Sequence, residues 1–414
     1  MTLSRRKFLT YGTVASASMA SILWHYRYRF FSPTYTEVIP DPAGIIDLPL
    51  GFTYRILDRS GERMSDGHLT PILPDGMACF EAGDGRLNLM RNHEIHIAAA
   101  ADRALAFDPE RGGGVSRLVL DKQSGGVVSS NLVLTGTSRN CSGGPSPWGW
   151  LSCEEIDEPE HGYVFLCDPT SSTLQPPQVL PDLGRFKHEA AAVDVIRQVT
   201  YLTEDHSQGL VYRHVPHTRD RPFSGSLFAL KLAKSKRQQL SNGLAIGDSF
   251  EVEWVPITDP IAAERSTREQ GAQRGAAQLS RGEGMWYHDN TVFISSTDGG
   301  PDSLGQIFRL DIDRTGRPDR LTLIAQSESR KTLDSPDNLT VSPTGQLFIA
   351  EDGSAPNLIR VLDQNNNLVP FARNALNDGT SEFTGICFSP DGRWLFVNLQ
   401  KEGLTLAIWG PFVS

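Results

Sequence analysis

Phe348-Ile349-Ala350-Glu351-Asp352 is a strand-like apolar run that ends on carboxylates, and its shape recurs along the chain. It returns in Leu89-Met90-Arg91-Asn92-His93-Glu94, Trp150-Leu151-Ser152-Cys153-Glu154-Glu155, Tyr201-Leu202-Thr203-Glu204-Asp205 and Phe293-Ile294-Ser295-Ser296-Thr297-Asp298. Leu395-Phe396-Val397-Asn398-Leu399-Gln400 repeats it with amides in place of acids. Successive segments are spaced by roughly 50–60 residues, with one gap of roughly 90, which fits one four-stranded sheet per repeat. The fold is therefore expected to be all-β, a single six-bladed β-propeller over residues 32–414. If each segment is the equivalent strand of its blade, Glu94, Glu154 or Glu155, Glu204 and Glu351 converge on one end of the channel. Clustered carboxylates repel one another and resist desolvation, so such a ring calls for cations.

The remaining composition narrows the reading. At 414 residues the chain can bury a large core, and a formal net charge of −10 argues against a nucleic-acid partner. Ser4-Arg5-Arg6-Lys7-Phe8-Leu9 is a twin-arginine motif, followed by an apolar stretch over residues 11–24. Residues 1–31 are thus expected to engage the twin-arginine export machinery, placing the protein in the periplasm or outside the cell. The aromatic-basic run Trp24-His25-Tyr26-Arg27-Tyr28-Arg29-Phe30-Phe31 also reads as an interfacial anchor, so cleaved signal and uncleaved membrane tether both stay open. A monomer is expected. Five cysteines cannot all pair, which leaves a thiol to explain. Cys141, in the glycine-rich turn Arg139-Asn140-Cys141-Ser142-Gly143-Gly144, is placed to approach a metal; Cys79, Cys153, Cys167 and Cys387 sit in apolar strand patterns as structural thiols.

These motifs carry a resemblance. Asn140-Cys141-Ser142-Gly143-Gly144 with Pro147-Trp148-Gly149 and Leu151-Ser152-Cys153-Glu154-Glu155 is similar to the signature of the PhoX-type alkaline phosphatases. The likeness continues in order through Gly184-Arg185-Phe186-Lys187-His188-Glu189-Ala190, Arg281-Gly282-Glu283-Gly284, Ser335-Pro336-Asp337-Asn338 and Ser381-Glu382-Phe383-Thr384-Gly385. The resemblance implies a six-bladed propeller, two ferric ions bridged by a cysteine thiolate, several calcium ions beside them, and hydrolysis of phosphate esters. The chain is shorter than a typical family phosphatase, and residues 261–280 read as a polar helical or loop insertion that accounts for the long step.

The chemistry can be assigned residue by residue. Cys141 would supply the thiolate bridge, and Glu283 is the carboxylate best placed for the iron pair. Arg281 stands two residues earlier on the same strand face, placed to grip phosphate oxygens in a catalytic role. Glu94, Glu154, Glu155, Glu189, Glu204, Asp205, Asp337, Asn338, Glu351 and Asp352 are hard oxygen donors for calcium or iron. At each Glu-Glu or Glu-Asp strand end, alternation allows one side chain to face the channel directly, while Asp337-Asn338 also fits a Pro-Asp-Asn turn after Ser335. His93 and His188 read as buried core groups more readily than as ligands. Glu382 is balanced between ligand and hydrogen-bonding corner, and Asp298 fits an Asp-Gly turn. The expected activity is metal-assisted hydrolysis of a small phosphate monoester. Two other readings stay open: a calcium-dependent propeller lactonase, which would not require Cys141, and a non-enzymatic metal- or ligand-binding propeller.

Overall fold

The computed structural model describes residues 35, 37–235, 237–363 and 366–412. The twin-arginine motif and the aromatic-basic run, and with them the whole 1–31 unit, lie outside the described residues. Among the described residues, no helix is long and apolar enough to cross a membrane.

All six recurring segments are strands: Arg86–His93, Gly149–Cys153, Val199–Glu204, Thr291–Ser296, Leu347–Glu351 and Trp394–Leu399. Each pairs antiparallel with the strand just before it in the chain. Those preceding strands are Pro74–Gly83, Gly144–Ser146, His188–Asp194, Gly282–His288, Pro336–Val341 and Phe383–Phe388. They pack against one another in chain order, and the last packs on the first, so they form a closed circuit. Such close packing needs small residues at the contacts. A Cβ on Gly76 would run into the Ser142 carbonyl, and one on Gly144 into the Ala191 carbonyl.

The fold is all-β and propeller-like, but among the described residues the hydrogen-bonded sheets number five rather than six separate blades. Four are sheets of three to six strands. The fifth has nine, because Ser249–Ile257 pairs with Gly225–Leu232 on one side and with Arg320–Gln326 on the other. That second pairing, Ser249 to Glu251 against Thr322 to Arg320, fuses two strand groups edge to edge. The added strand and the short helix Thr267–Gln273, capped by Ser266, fill the long step in the sequence repeat.

The ring closes with an N-terminal strand. Thr53–Arg59 pairs with Leu404–Trp409 as the outer strand of the last sheet. An aromatic cluster seals the junction, where Phe52 lies 5.1 Å from Phe371 and 4.8 Å from Phe412, ring to ring. Tyr35 packs into the same cluster, 5.0 Å from Phe371, and is 4 % exposed. The five cysteines are free thiols; Cys79 is half-buried and the others are buried.

Candidate metal centre

One hydrogen bond repeats around the ring and places the site. The carbonyls of Leu73, Arg139, Lys187, Arg281 and Ser335 accept from the N–H groups of Glu94, Glu155, Asp205, Thr297 and Asp352, at 2.9–3.2 Å. Each bond ties the start of an innermost strand to the end of its neighbour. Two residues beyond the five acceptors lie Asp75, Cys141, Glu189, Glu283 and Asp337. Four of the acceptors, Leu73, Arg139, Arg281 and Ser335, are left-handed, with φ between +43° and +52°. A non-glycine residue in that region costs about 1–3 kcal/mol, strain that persists where the surroundings over-determine it. The ladder is also interrupted between Pro74 and Met77, His188 and Ala191, Gly282 and Met285, and Pro336 and Leu339. Asp75, Glu189, Glu283 and Asp337 sit inside these bulges, which re-aim a side chain that regular pleating would place differently.

The result is a cavity of about 360 Å³ at one end of the channel. The innermost strands bring Asp75, Glu189, Glu283 and Asp337, and the turns just ahead of Gly144–Ser146 and Phe383–Phe388 bring Cys141 and Glu382. Their partner strands bring Glu94, Glu155, Asp205 and Asp352. Against these nine carboxylates the lining holds three cations, Arg139, Lys187 and Arg281. Lys187 Nζ lies 2.9 Å from Glu155 and 3.3 Å from Asp205. Arg281 donates from Nε to Asp205 and from Nη2 to Glu283, both at 2.8 Å. Gln400 donates to Asp75 at 2.9 Å and to Glu94 at 3.1 Å, so the amide-ended sixth segment also reaches the site.

Three cations do not balance nine acids, and the proton affinities record the shortfall. Burial, then the charge of neighbouring carboxylates, pushes Asp75, Glu189, Glu283 and Glu382 well above the usual carboxylate range. Burial and the adjacent Asp352 bring Asp337 to about 7. Burial and a hydrogen bond to Asp205 bring Glu155 to about 8. Burial opposes ionisation of Asp205 as well, but that shared bond and Arg281 hold it down at about 2. Burial, then the charges of Glu189 and Glu155, push the Cys141 thiol up. Without cations the raised carboxylates hold their protons more tightly than usual, and a bound cation would favour their ionised, ligating form.

The donor geometry fits metal. One ligand atom each from Cys141, Glu155 and Glu189 lie within 4.8 Å of one another, and so do atoms of Glu189, Glu283 and Asp337. Glu189 belongs to both groups, so the two candidate positions adjoin.

Four expected ligands are turned elsewhere, each for a visible reason. Glu154 accepts from His161 Nδ1 at 2.8 Å and from the Ser138 and Gly162 amides at 2.9 Å. Glu204 accepts from Arg268 at 2.7 Å and Tyr212 at 2.8 Å. Glu351 is held by Arg360 and by the Asp334 amide. Asn338 donates to Ser142 Oγ at 2.7 Å and accepts from the Gly385 amide, bracing neighbouring innermost strands. In every acidic pair the second member faces the cavity, because its own N–H makes the repeated bond described above. His93 binds Ser116 and the Ile72 carbonyl, and His188 stacks on Phe186, so both are core groups. Asp75, Lys187 and Arg139 were not among the expected site residues. Pro74-Asp75-Gly76 reads as a turn, yet it shares with Gly282-Glu283-Gly284 and Pro336-Asp337-Asn338 an acid between a backbone-restricting or flexible residue and a small one.

The sequence model for the family described as alkaline phosphatase PhoX matches residues 33–127 and 117–403. No match was found among curated proteins. Among solved structures, a structural genomics protein of unknown function from Bacteroides thetaiotaomicron is similar at TM-score 0.51 and 12% identity. That match covers 86% of this chain and 76% of that one. A gluconolactonase from Xanthomonas campestris is similar at TM-score 0.48 and 13% identity, covering 92% of this chain and 99% of that one. Likeness at these identities concerns the fold alone.

Proposed function

The chain belongs to the PhoX alkaline phosphatase family, and from that membership and the geometry of its channel site we propose that it is an exported, metal-dependent phosphatase acting on small phosphate monoesters. The observation that carries this reading is the buried Cys141 thiol set among a surplus of carboxylates. A lactonase needing calcium alone has no use for that thiol. We read the ring as six blades, with the nine-stranded sheet counted as two blades joined through Ser249 to Glu251.

The donor sets suggest a division of metals. Cys141, Glu155 and Glu189 would hold ferric ion, because thiolate with carboxylate suits a transition metal; a second iron would share Cys141. Glu189, Glu283 and Asp337 offer oxygen only, with Asp75, Glu94, Asp205, Asp352 and Glu382 around them, a set suited to calcium; Glu283, expected from the sequence at the iron pair, groups here with Glu189 and Asp337 rather than with Cys141. Bound there, the cations supply charge for the phosphate oxygens and the acidity that makes water a nucleophile. The chain itself supplies orientation. Arg281 is anchored by Asp205 and Glu283 on one edge of its guanidinium, which leaves the other edge for non-bridging phosphate oxygens. Arg139 and Lys187 add positive charge at the rim, where an anion enters. The twin-arginine motif supports export of the folded, loaded protein, and a monomer with no nucleic-acid partner suffices for this chemistry.

The test is metal analysis of protein exported in its native host, with alkaline assays of an aryl phosphate and a simple lactone. Iron near two per chain with calcium, and aryl phosphate turnover, is the expected result. Lactone turnover without phosphatase activity, or protein lacking iron, overturns the reading.

A further inference from the structure

The position of Tyr35 bears on how the propeller is held. Gln400 lies at the metal centre, so the Leu399–Leu404–Arg59 end of the last sheet is the site end. Trp394, Trp409 and Thr53 pair at the opposite end. Phe52 and Phe412 belong to that opposite end, and Tyr35 is buried against Phe52 and Phe371. The chain therefore enters the propeller at the end remote from the cavity. Only residues 32–34 separate this fixed tyrosine from the aromatic-basic run that closes at Phe31. Fully extended, that link spans about 14 Å. The innermost strand His188–Asp194 spans about 20 Å from the site end to the far end. Leu50, at 84 %, with Val195 and Ile196 in the turn after Asp194, is exposed at the far end, but Ile72 and Ile97 are exposed near the site end, so exposed apolar side chains do not distinguish the two ends and the short link does.

We propose that the propeller rests on a lipid bilayer by the end bearing Leu50, with the metal-centre mouth directed away from the membrane into the aqueous compartment. This rests on the reading of the N-terminal segment as a retained anchor. The link is shorter than the channel, so an upright propeller cannot turn its mouth to the surface that holds it. Phosphate esters dissolved in the compartment can enter freely, whereas lipid phosphate of the anchoring leaflet lies behind the protein.

The experiment uses full-length chain recovered from host membranes and returned to phosphatidylethanolamine–phosphatidylglycerol vesicles containing a headgroup-attached quencher. A fluorophore is placed on Leu50→Cys or on Ile97→Cys, an exposed position three residues past Glu94, with the parent chain correcting for label on Cys79. The Leu50→Cys label should lose most of its emission and the Ile97→Cys label almost none. Equal quenching, or stronger quenching of the Ile97→Cys label, overturns the orientation. If the chain fails to sediment with vesicles, or its mature N-terminus lies beyond Phe31, the anchor is absent and the proposal falls. Aryl phosphate turnover by that same preparation would show that the phosphatase reading survives the loss.

Discussion

Arg281 Nε lies 2.8 Å from Asp205 Oδ1, although the two residues are 76 positions apart in the chain. Arg281 is half-exposed and Asp205 is buried, so the guanidinium is held from below and open from above. Arg281→Ala should therefore cut turnover of an aryl phosphate by about 2–4 kcal/mol of transition-state stabilisation, the typical cost of losing one charge-stabilising donor. Metal content should stay unchanged, since Asp205 and Glu283 remain. Paired kinetics and metal analysis check this; loss of metal together with activity would make Arg281 structural.

Cys141→Ser should abolish iron binding and the visible absorption of a ferric thiolate, while the all-oxygen position keeps calcium. Absorption spectra and metal analysis of the exported variant read the result. Cys167→Ser, which changes a buried thiol paired with Trp150 rather than with the Cys153 end of that strand, should leave both signals intact.

Metal-free protein should lose stability as pH rises, and metal-loaded protein should not. The raised carboxylates hold protons in the native state that the unfolded chain has released, so unfolding releases protons and higher pH favours it. The loss begins above the ordinary carboxylate pKa of about 4 and is complete near pH 8 for Asp337 and Glu155, whose values are about 7 and about 8. Each proton held contributes a slope of about 1.4 kcal/mol per pH unit. Asp205, held down at about 2, acts in the opposite sense, and only below the ordinary pKa. Chemical denaturation from pH 5 to 9, with and without chelator, measures the two slopes.

Adjacent residues should separate fold from function. Glu351 pairs with Arg360, which is 3 % exposed, so Glu351→Ala leaves a buried cation alone and should cost about 3–5 kcal/mol of stability. Asp352→Asn should instead leave the unfolding transition nearly unchanged and weaken metal retention. Thermal unfolding of both variants after identical metal loading distinguishes the two roles.

The repeat of apolar strand and terminal acid was enough to place six strands and to aim them at one channel end, because alternation and turn chemistry act locally. It could not say which member of Glu154-Glu155, Glu204-Asp205 or Glu351-Asp352 faces the channel. That choice is made by backbone hydrogen bonds to residues on the neighbouring strand, such as Asp352 N–H to the Ser335 carbonyl. Asp75 was hidden for a related reason, since a Pro-Asp-Gly turn and a bulged strand start look alike locally. The pairing of Ser249 to Glu251 with Arg320 to Thr322 joins distant segments and leaves no mark in either one.

The outer strand of the last sheet comes from residues 53–59 and its partner from residues 404–409. A growing chain delivers the first of these early and the second almost at the end of synthesis. The ring therefore stays open throughout translation, and its closure is a post-translational event that spans nearly the whole sequence. Contacts of such long sequence separation form slowly. If the N-terminal segment acts as the export signal proposed above, it would leave the ribosome long before there is a closed protein to export, and a cation could reach the ring carboxylates during that interval.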